Sequence, residues 1–380
     1  MTSFTSWTHH LPRSLFLLLV MGTSTPLAAR QVLQGEIEGA PYRIEVPDDW
    51  NGDLVLLQHG YIFPGAKITI PPADHAFFNP LSAELAARGF AVAYSAYSTN
   101  GFAVKEGAKD TVALAQHFEQ QLGAPGDTYL IGFSMGAQIG DMLIRQGPQK
   151  GRYAGHLAAC APLAGSTALV GYSYDARVLF DYFFPGVLPG NVLTSDFDFF
   201  SVWFSEVHPA IVADPAATSE YMAVMDIPWT DPVQRDLAAL MSLVVVGGGS
   251  QDFQDKAKGN PYDNRSRVYS GSSDDLSLNA AVDRFEADPR AVQFMRRYYD
   301  PAGSLGRTRV LHLHDSRDPT VPLEVQESAY QRVLEAAGET DQYVLRTFDR
   351  SKHCSFSNEE ILTGFDDLVQ WVKSGVAPTP

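Results

Sequence analysis

The sequence predicts an α/β fold: a doubly wound, mostly parallel sheet interrupted by a large, mainly helical insertion. Three observations carry this. Short apolar strands alternate with segments of helical periodicity in both the first and the last part of the chain. Several of those strands, such as Asp53-Leu54-Val55-Leu56-Leu57-Gln58, are continuous apolar runs, as strands buried on both faces are. Finally, Gly132-Phe133-Ser134-Met135-Gly136 stands between a strand, Thr128-Tyr129-Leu130-Ile131, and a helix from Ala137 to Gln146 with Ile139, Met142 and Leu143 at helical spacing. A strand that turns into a helix through G-x-S-x-G gives the two glycines a tight turn and puts the serine on its strained tip with Oγ exposed.

Composition narrows the partners. The 380 residues are 45% hydrophobic and 19% charged, enough apolar material for a large core. With 28 basic and 44 acidic residues the formal charge is −16, and no basic run occurs. Nucleic acid and anionic membrane surfaces both need clustered Lys and Arg, so neither is expected as a partner. Residues 1–29 have the layout of a secretory signal: His9, His10 and Arg13, an apolar run from Leu15 to Met21, then Pro26-Leu27-Ala28-Ala29. Cleavage is expected after Ala29. The apolar run is too short to span a bilayer, so the mature protein is expected to be soluble and secreted or periplasmic. Two cysteines, Cys160 and Cys354, are too few for a cysteine metal cage, and an oxidising compartment permits a disulfide.

In chain order, Val32 to Val46 alternates around Gly35 and Gly39 as a hairpin, and residues 48–52 form a turn. The strand 53–58 ends in His59-Gly60-Tyr61. A helix is expected over Pro80 to Arg88, a strand over Phe90 to Tyr94, and a helix over Phe102 to Leu122 whose Val104, Ala108, Val112, Ala115 and Phe118 share one face. Another strand, His156 to Cys160, follows the elbow helix. From 165 to 307 the alternation fails. This stretch holds helical fragments such as Gln234 to Leu243 and many aromatics, among them Tyr172, Tyr174, Phe180 and Phe184. Alternation resumes with the strand Thr308 to Leu313, then Gln342 to Phe348 and a final helix from Glu359 to Ser374. The expected organisation is a signal segment (1–29), a core of 30–164 and 308–380, and a cap of 165–307. The cap aromatics either form its own core or wall the serine with an apolar surface. Gly247-Gly248-Gly249 lacks the lysine of a phosphate loop and any dinucleotide fingerprint, and reads as a turn.

A serine hydroxyl is a weak nucleophile at neutral pH and needs a base, and the base needs an orienting acid. Asp318, in Asp318-Pro319-Thr320-Val321-Pro322, follows a strand and precedes a stiffened loop, where the acid belongs; Asp315, nearer the strand end, is the alternative. His353 lies in the loop before the last helix. His312 and His314 flank the acid as packing or supporting groups. The order Ser134, Asp318, His353 completes the set.

With these residues in that order, and His59-Gly60-Tyr61 ending an early strand, the chain resembles secreted α/β hydrolases of the serine esterase/lipase and prolyl-oligopeptidase-like type, from about Val32 to the end outside the cap. Ser98-Thr99-Asn100-Gly101 and Asn260-Pro261-Tyr262-Asp263-Asn264 also look similar to exported bacterial members. The resemblance implies a Ser134–His353–Asp318 triad, an oxyanion hole from the backbone N–H groups of Tyr61 and Met135, and no metal or organic cofactor. It also implies a small-molecule or oligomeric ester substrate with an apolar or aromatic part. Some tannase-like and feruloyl-esterase-like members are similar in placing a bridged cysteine directly after the histidine, although their partner precedes the serine, where this chain has Phe133. A Cys160–Cys354 bridge is therefore expected, with two buried free thiols as the alternative. The competing functions are a secreted serine peptidase of the oligopeptidase type and a non-catalytic hydrolase-fold binding protein.

Overall fold

The computed structural model of the chain describes residues 30–146, 151–194, 197, 199–247 and 249–380; the expected signal segment lies outside them. Among the described residues, eight strands form one sheet. They are β1 (Arg30–Ile37), β2 (Ala40–Pro47), β3 (Leu54–Gln58), β4 (Ala91–Ser95), β5 (Thr128–Phe133), β6 (Tyr153–Ala159), β7 (Arg309–Asp315) and β8 (Tyr343–Phe348). Their spatial order is β1-β2-β4-β3-β5-β6-β7-β8. The first two junctions are antiparallel and the rest parallel.

The continuous apolar runs have a simple cause. In β3, Leu54 and Leu56 enter the core beneath Leu114, Phe118 and Ile139, while Val55 and Leu57 enter the opposite core with Leu81, Phe365, Leu368 and Trp371. Successive side chains point to opposite faces, and both faces carry helices. The first face holds α2 (Val104–Leu122) and α3 (Met135–Arg145); the second holds α1 (Phe78–Ala86) and the C-terminal helix Asn358–Ser374. The register sets Gln58 opposite Gly132, Phe133 opposite Ala159, and Ala159 opposite Leu313. The carboxyl ends of β3, β5, β6 and β7 therefore lie side by side, and the loops that leave them meet above the sheet.

Several boundaries differ from expectation by up to three residues, among them those of α1 and β7. Helix α1 starts at Phe78, with Pro80 in its first turn, where its missing N–H goes unused. Strand β7 runs two residues further, to Asp315.

Between β6 and β7 the described residues are mainly helical, beginning with α4 (Ser166–Phe183). Among the described residues, three helices of this insertion open on an Asp-Pro pair. Asp214, Asp231 and Asp288 each accept a backbone N–H of the first turn, and the proline after each takes the first helical position. Tyr172, Tyr174, Phe180 and Phe184 are buried in the core that the insertion shares with one face of the sheet. At the glycine triplet, Gly247 ends one short helix and Gly249 caps the next, while Gly248 lies outside the described residues. A Cβ on Gly249 would sit 2.6 Å from the Val245 carbonyl oxygen and 2.8 Å from Tyr61 Oη, so the position also lets the insertion close onto the β3 loop. Among the described residues no helix is long and apolar enough to cross a membrane.

Candidate active site

Ser134 occupies the turn between β5 and α3 at φ 53° and ψ −121°. An L-residue there carries strain on the order of 1–3 kcal/mol. The surroundings over-determine it. The Ser134 N–H donates to the Ala159 carbonyl at 2.8 Å, tying the tip to β6. A Cβ on Gly136 would lie 2.6 Å from the His59 carbonyl oxygen, and one on Gly132 would lie 2.7 Å from the Gly136 carbonyl carbon. Both glycines of the motif are thus required by close backbone approach.

His353 comes from the loop after β8 and Asp318 from the loop after β7. Asp318 is a buried carboxylate whose Oδ1 accepts the backbone N–H groups of Thr320 at 2.8 Å and Val321 at 3.0 Å. Its Oδ2 lies 2.6 Å from His353 Nδ1. A carboxylate only accepts, so Nδ1 carries the hydrogen and Nε2 presents its lone pair to the Ser134 hydroxyl, 2.9 Å away. Burial opposes a charge on His353, but the Asp318 carboxylate, aided by Asp315, outweighs it and holds the ring above its ordinary pKa.

Asp315 has different partners. As the last residue of β7 it is buried, accepting from Arg350 Nε at 3.0 Å and from Ser355 Oγ at 2.7 Å. It therefore braces the 349–356 loop from below. The same loop is fixed from the side: Cys354 is bridged to Cys160, with their Cα atoms 5.2 Å apart. Cys160, His353 and Cys354 bring three potential metal-ligand atoms together, but two of them are the disulfide sulfurs.

Tyr61 and Met135 line the same cavity as Ser134. Met135 opens α3, so its N–H has no acceptor within the helix and stands at the positive end of the helix dipole. The backbone at Tyr61 is framed by two histidines. His59 Nδ1–H donates to the Gly60 carbonyl at 2.8 Å, and in a trans peptide this turns the Tyr61 N–H the opposite way. His75 donates from Nδ1 to the Ala73 carbonyl at 2.9 Å and accepts the Gly60 N–H on Nε2 at 3.0 Å. Nothing in the sequence singles out His75; only the tertiary fold brings it to Gly60.

The cavity has a volume of about 430 Å³. Its aromatic wall is Phe63, Phe77, Phe102, Phe133 and Phe356, and Leu169, Val244 and Val245 come from the insertion. The insertion's own aromatic run does not supply this wall. Tyr172, Tyr174 and Phe180 sit on α4 and pack inward, so the expectation that they form a core is the one the structure meets.

Several buried histidines are neutral at pH 7. Burial, with His75 adding to it, lowers His59 to about 3, and burial followed by the charge of Arg145 lowers His156 to about 3. In the unfolded chain both rings take up a proton near an ordinary pKa of about 6.5. Below that value the unfolded state binds more protons than the folded one, so stability falls as the pH drops towards about 3. Two such groups make the fall steeper than one alone would, on the order of 3 kcal/mol per pH unit. Denaturant midpoints are expected to fall steadily between about pH 6.5 and 4, and an unchanged midpoint across that range would contradict the neutral assignment.

No known family profile matches the sequence, and no curated protein does. Solved structures do match. An esterase from Aspergillus oryzae superposes with a TM-score of 0.50 at 14% identity, over 92% of this chain and 80% of that one. A feruloyl esterase B from the same organism gives 0.44 at 15% identity over 92% and 81%. A thermostable carboxyl esterase from Bacillus coagulans gives 0.46 at 13% identity over 92% and 99%. The chain has the α/β-hydrolase fold.

Proposed function

We propose that the protein is an exported serine hydrolase that cleaves carboxylic esters through an acyl-enzyme on Ser134. The observation that carries this reading is the line Ser134 Oγ, His353 Nε2, His353 Nδ1 and Asp318 Oδ2, with links of 2.9 and 2.6 Å, beside a largely apolar cavity. One solved structure that shares the fold, at a TM-score of 0.50, is an esterase from Aspergillus oryzae. In this reading His353 takes the Ser134 proton as Oγ attacks the substrate carbonyl carbon. The N–H groups of Tyr61 and Met135 hold the oxyanion. The C–O bond then breaks, and the alcohol leaves with the proton from His353. Water repeats the sequence on the acyl-enzyme and releases the acid. The aromatic lining favours acyl or alcohol groups with an apolar or aromatic part.

The test is hydrolysis of a short p-nitrophenyl acyl ester by wild type and by Ser134→Ala. Loss of at least about 10³-fold in kcat is expected for the variant; equal rates would remove the triad assignment. An aminoacyl amide panel separates esterase from oligopeptidase-type activity. The framing of the Tyr61 N–H gives a second expectation. His75→Leu removes the acceptor of the Gly60 N–H, and should lower kcat about 10- to 100-fold with little change in KM, less than the 10²–10³ of deleting a donor outright. A rise in KM at constant kcat would place His75 in substrate binding instead.

A further inference from the structure

Beneath the Asp318 loop runs a chain of hydrogen bonds, buried except at its Glu327 end, that the proposed mechanism does not use. Glu327 Oε2 and Tyr343 Oη are 2.6 Å apart, Tyr343 Oη and His312 Nδ1 2.8 Å, His312 Nε2 and His314 Nδ1 2.9 Å, and His314 Nε2 and the Val321 carbonyl 2.8 Å. Four contacts need four hydrogens. A Glu327 carboxylate and the carbonyl only accept, and neutral Tyr343, His312 and His314 each carry one hydrogen, three in all. One further proton is needed to complete the chain.

Two backbone groups of fixed role say where it goes. The Ala161 N–H points at His312 Nε2, 3.4 Å away, so this nitrogen is the lone-pair end of its ring. His312 Nδ1–H then donates to Tyr343, whose hydroxyl donates to Glu327. His314 must donate from Nδ1 to His312 and from Nε2 to the Val321 carbonyl, which makes it the imidazolium. Its Nε2 stands 3.7 Å from Asp318 Oδ2, the oxygen that His353 uses.

We propose that His314 is a positioning residue that takes up a proton on acidification, closes this chain, and shares Asp318 with His353, so that the inactive acid form of the centre holds two protons rather than one. The proposal rests on the triad reading above. Around His314 stand His312 and Asp315 from β7, Asp318 from the following loop and His353 from the loop after β8. Beyond them lie Tyr343, Glu327, His156 beside His312, and Arg350, which is paired to Asp315. Tyr172 of α4 reaches the same loop by donating to the Pro319 carbonyl. Burial lowers the His314 pKa, against the pull of Asp318, the Val321 carbonyl and Asp315, while His353 is raised. His353 therefore charges first on acidification and His314 second, each weakening the hold of Asp318 on the other.

The test compares log(kcat/KM) for a p-nitrophenyl ester against pH in wild type and His314→Gln, over the range in which circular dichroism shows both folded. Glutamine keeps an N–H for the Val321 carbonyl but cannot ionise. The wild-type acid limb should steepen to a slope of about 2 and that of the variant should stay at about 1. Side-chain ¹⁵N nuclear magnetic resonance at the acid end should show one ring protonated on both nitrogens in wild type that His314→Gln lacks. Parallel limbs, or an equal number of charged rings in the two proteins, would overturn the proposal. Should His314→Gln fail to fold, Tyr343→Phe deletes the acceptor of His312 Nδ1–H without touching the Asp318 loop. It should also return the slope to about 1, and retention of the steep limb would overturn the proposal. The resonance readout needs no turnover, so it is separable from the Ser134→Ala result that tests the reading itself.

Discussion

Asp318→Asn is expected to lower kcat by about 10⁴ while leaving the fold intact. The carboxylate fixes the His353 tautomer: Oδ2 can only accept, so Nδ1 holds the hydrogen and Nε2 is free for the Ser134 hydroxyl. An asparagine amide can turn a donor towards Nδ1 and stabilise the other tautomer, in which Nε2 bears the hydrogen and cannot act as a base. Thr320 and Val321 still have an oxygen to bond, so the loop survives. Asp315→Asn is the informative counterpart. It removes a buried charge from beside Arg350 and from beneath Ser355, and is expected to cost about 3 kcal/mol of stability, with kcat falling less than about tenfold at a temperature where the variant is folded. Steady-state kinetics and denaturant unfolding on both variants check the assignment; a larger kcat loss for Asp315→Asn would exchange the two roles.

Loss of the Cys160–Cys354 bridge is the second large effect. It closes a sequence separation of 194 residues, which includes the whole insertion. Loop-closure entropy for a loop of this length is about 5 kcal/mol, an upper value because the reduced chain retains structure. Cys160→Ala with Cys354→Ala should therefore lower the denaturant midpoint by several kcal/mol in equivalent stability. Because Cys354 adjoins His353 and lines the cavity, kcat should fall as well. Two alkylatable thiols in unreduced, denatured wild-type protein would contradict the bridge.

The parts of this site that were legible in the sequence are those that a few consecutive residues determine. Gly132 to Gly136 declares a strand-to-helix turn because both glycines are needed within one tight loop, and His353 follows from its place before the last helix. The choice between Asp315 and Asp318 turned on where β7 ends. Two more strand residues put Asp315 into the sheet against Arg350 and left Asp318 as the first acid free to meet His353. Reading the cavity wall from composition had no such local handle. The aromatic run on α4 is conspicuous but packs inward, whereas Phe63, Phe77, Phe102, Phe133 and Phe356 come from separate parts of the chain and meet only because the strand ends are aligned. His75 is a still clearer case. Its role lies wholly in one ring nitrogen facing the Gly60 N–H, and no spacing or pattern encodes that contact.

Covalent chemistry at Ser134 is the step on which the proposed function depends most directly. Wild-type protein quenched in acid during turnover of a slowly deacylating p-nitrophenyl ester, then digested and examined by mass spectrometry, should carry one acyl group on the peptide containing Ser134, and Ser134→Ala should carry none. Hydrolysis that proceeds with no acyl group on that peptide, or with the group on another residue, would contradict it.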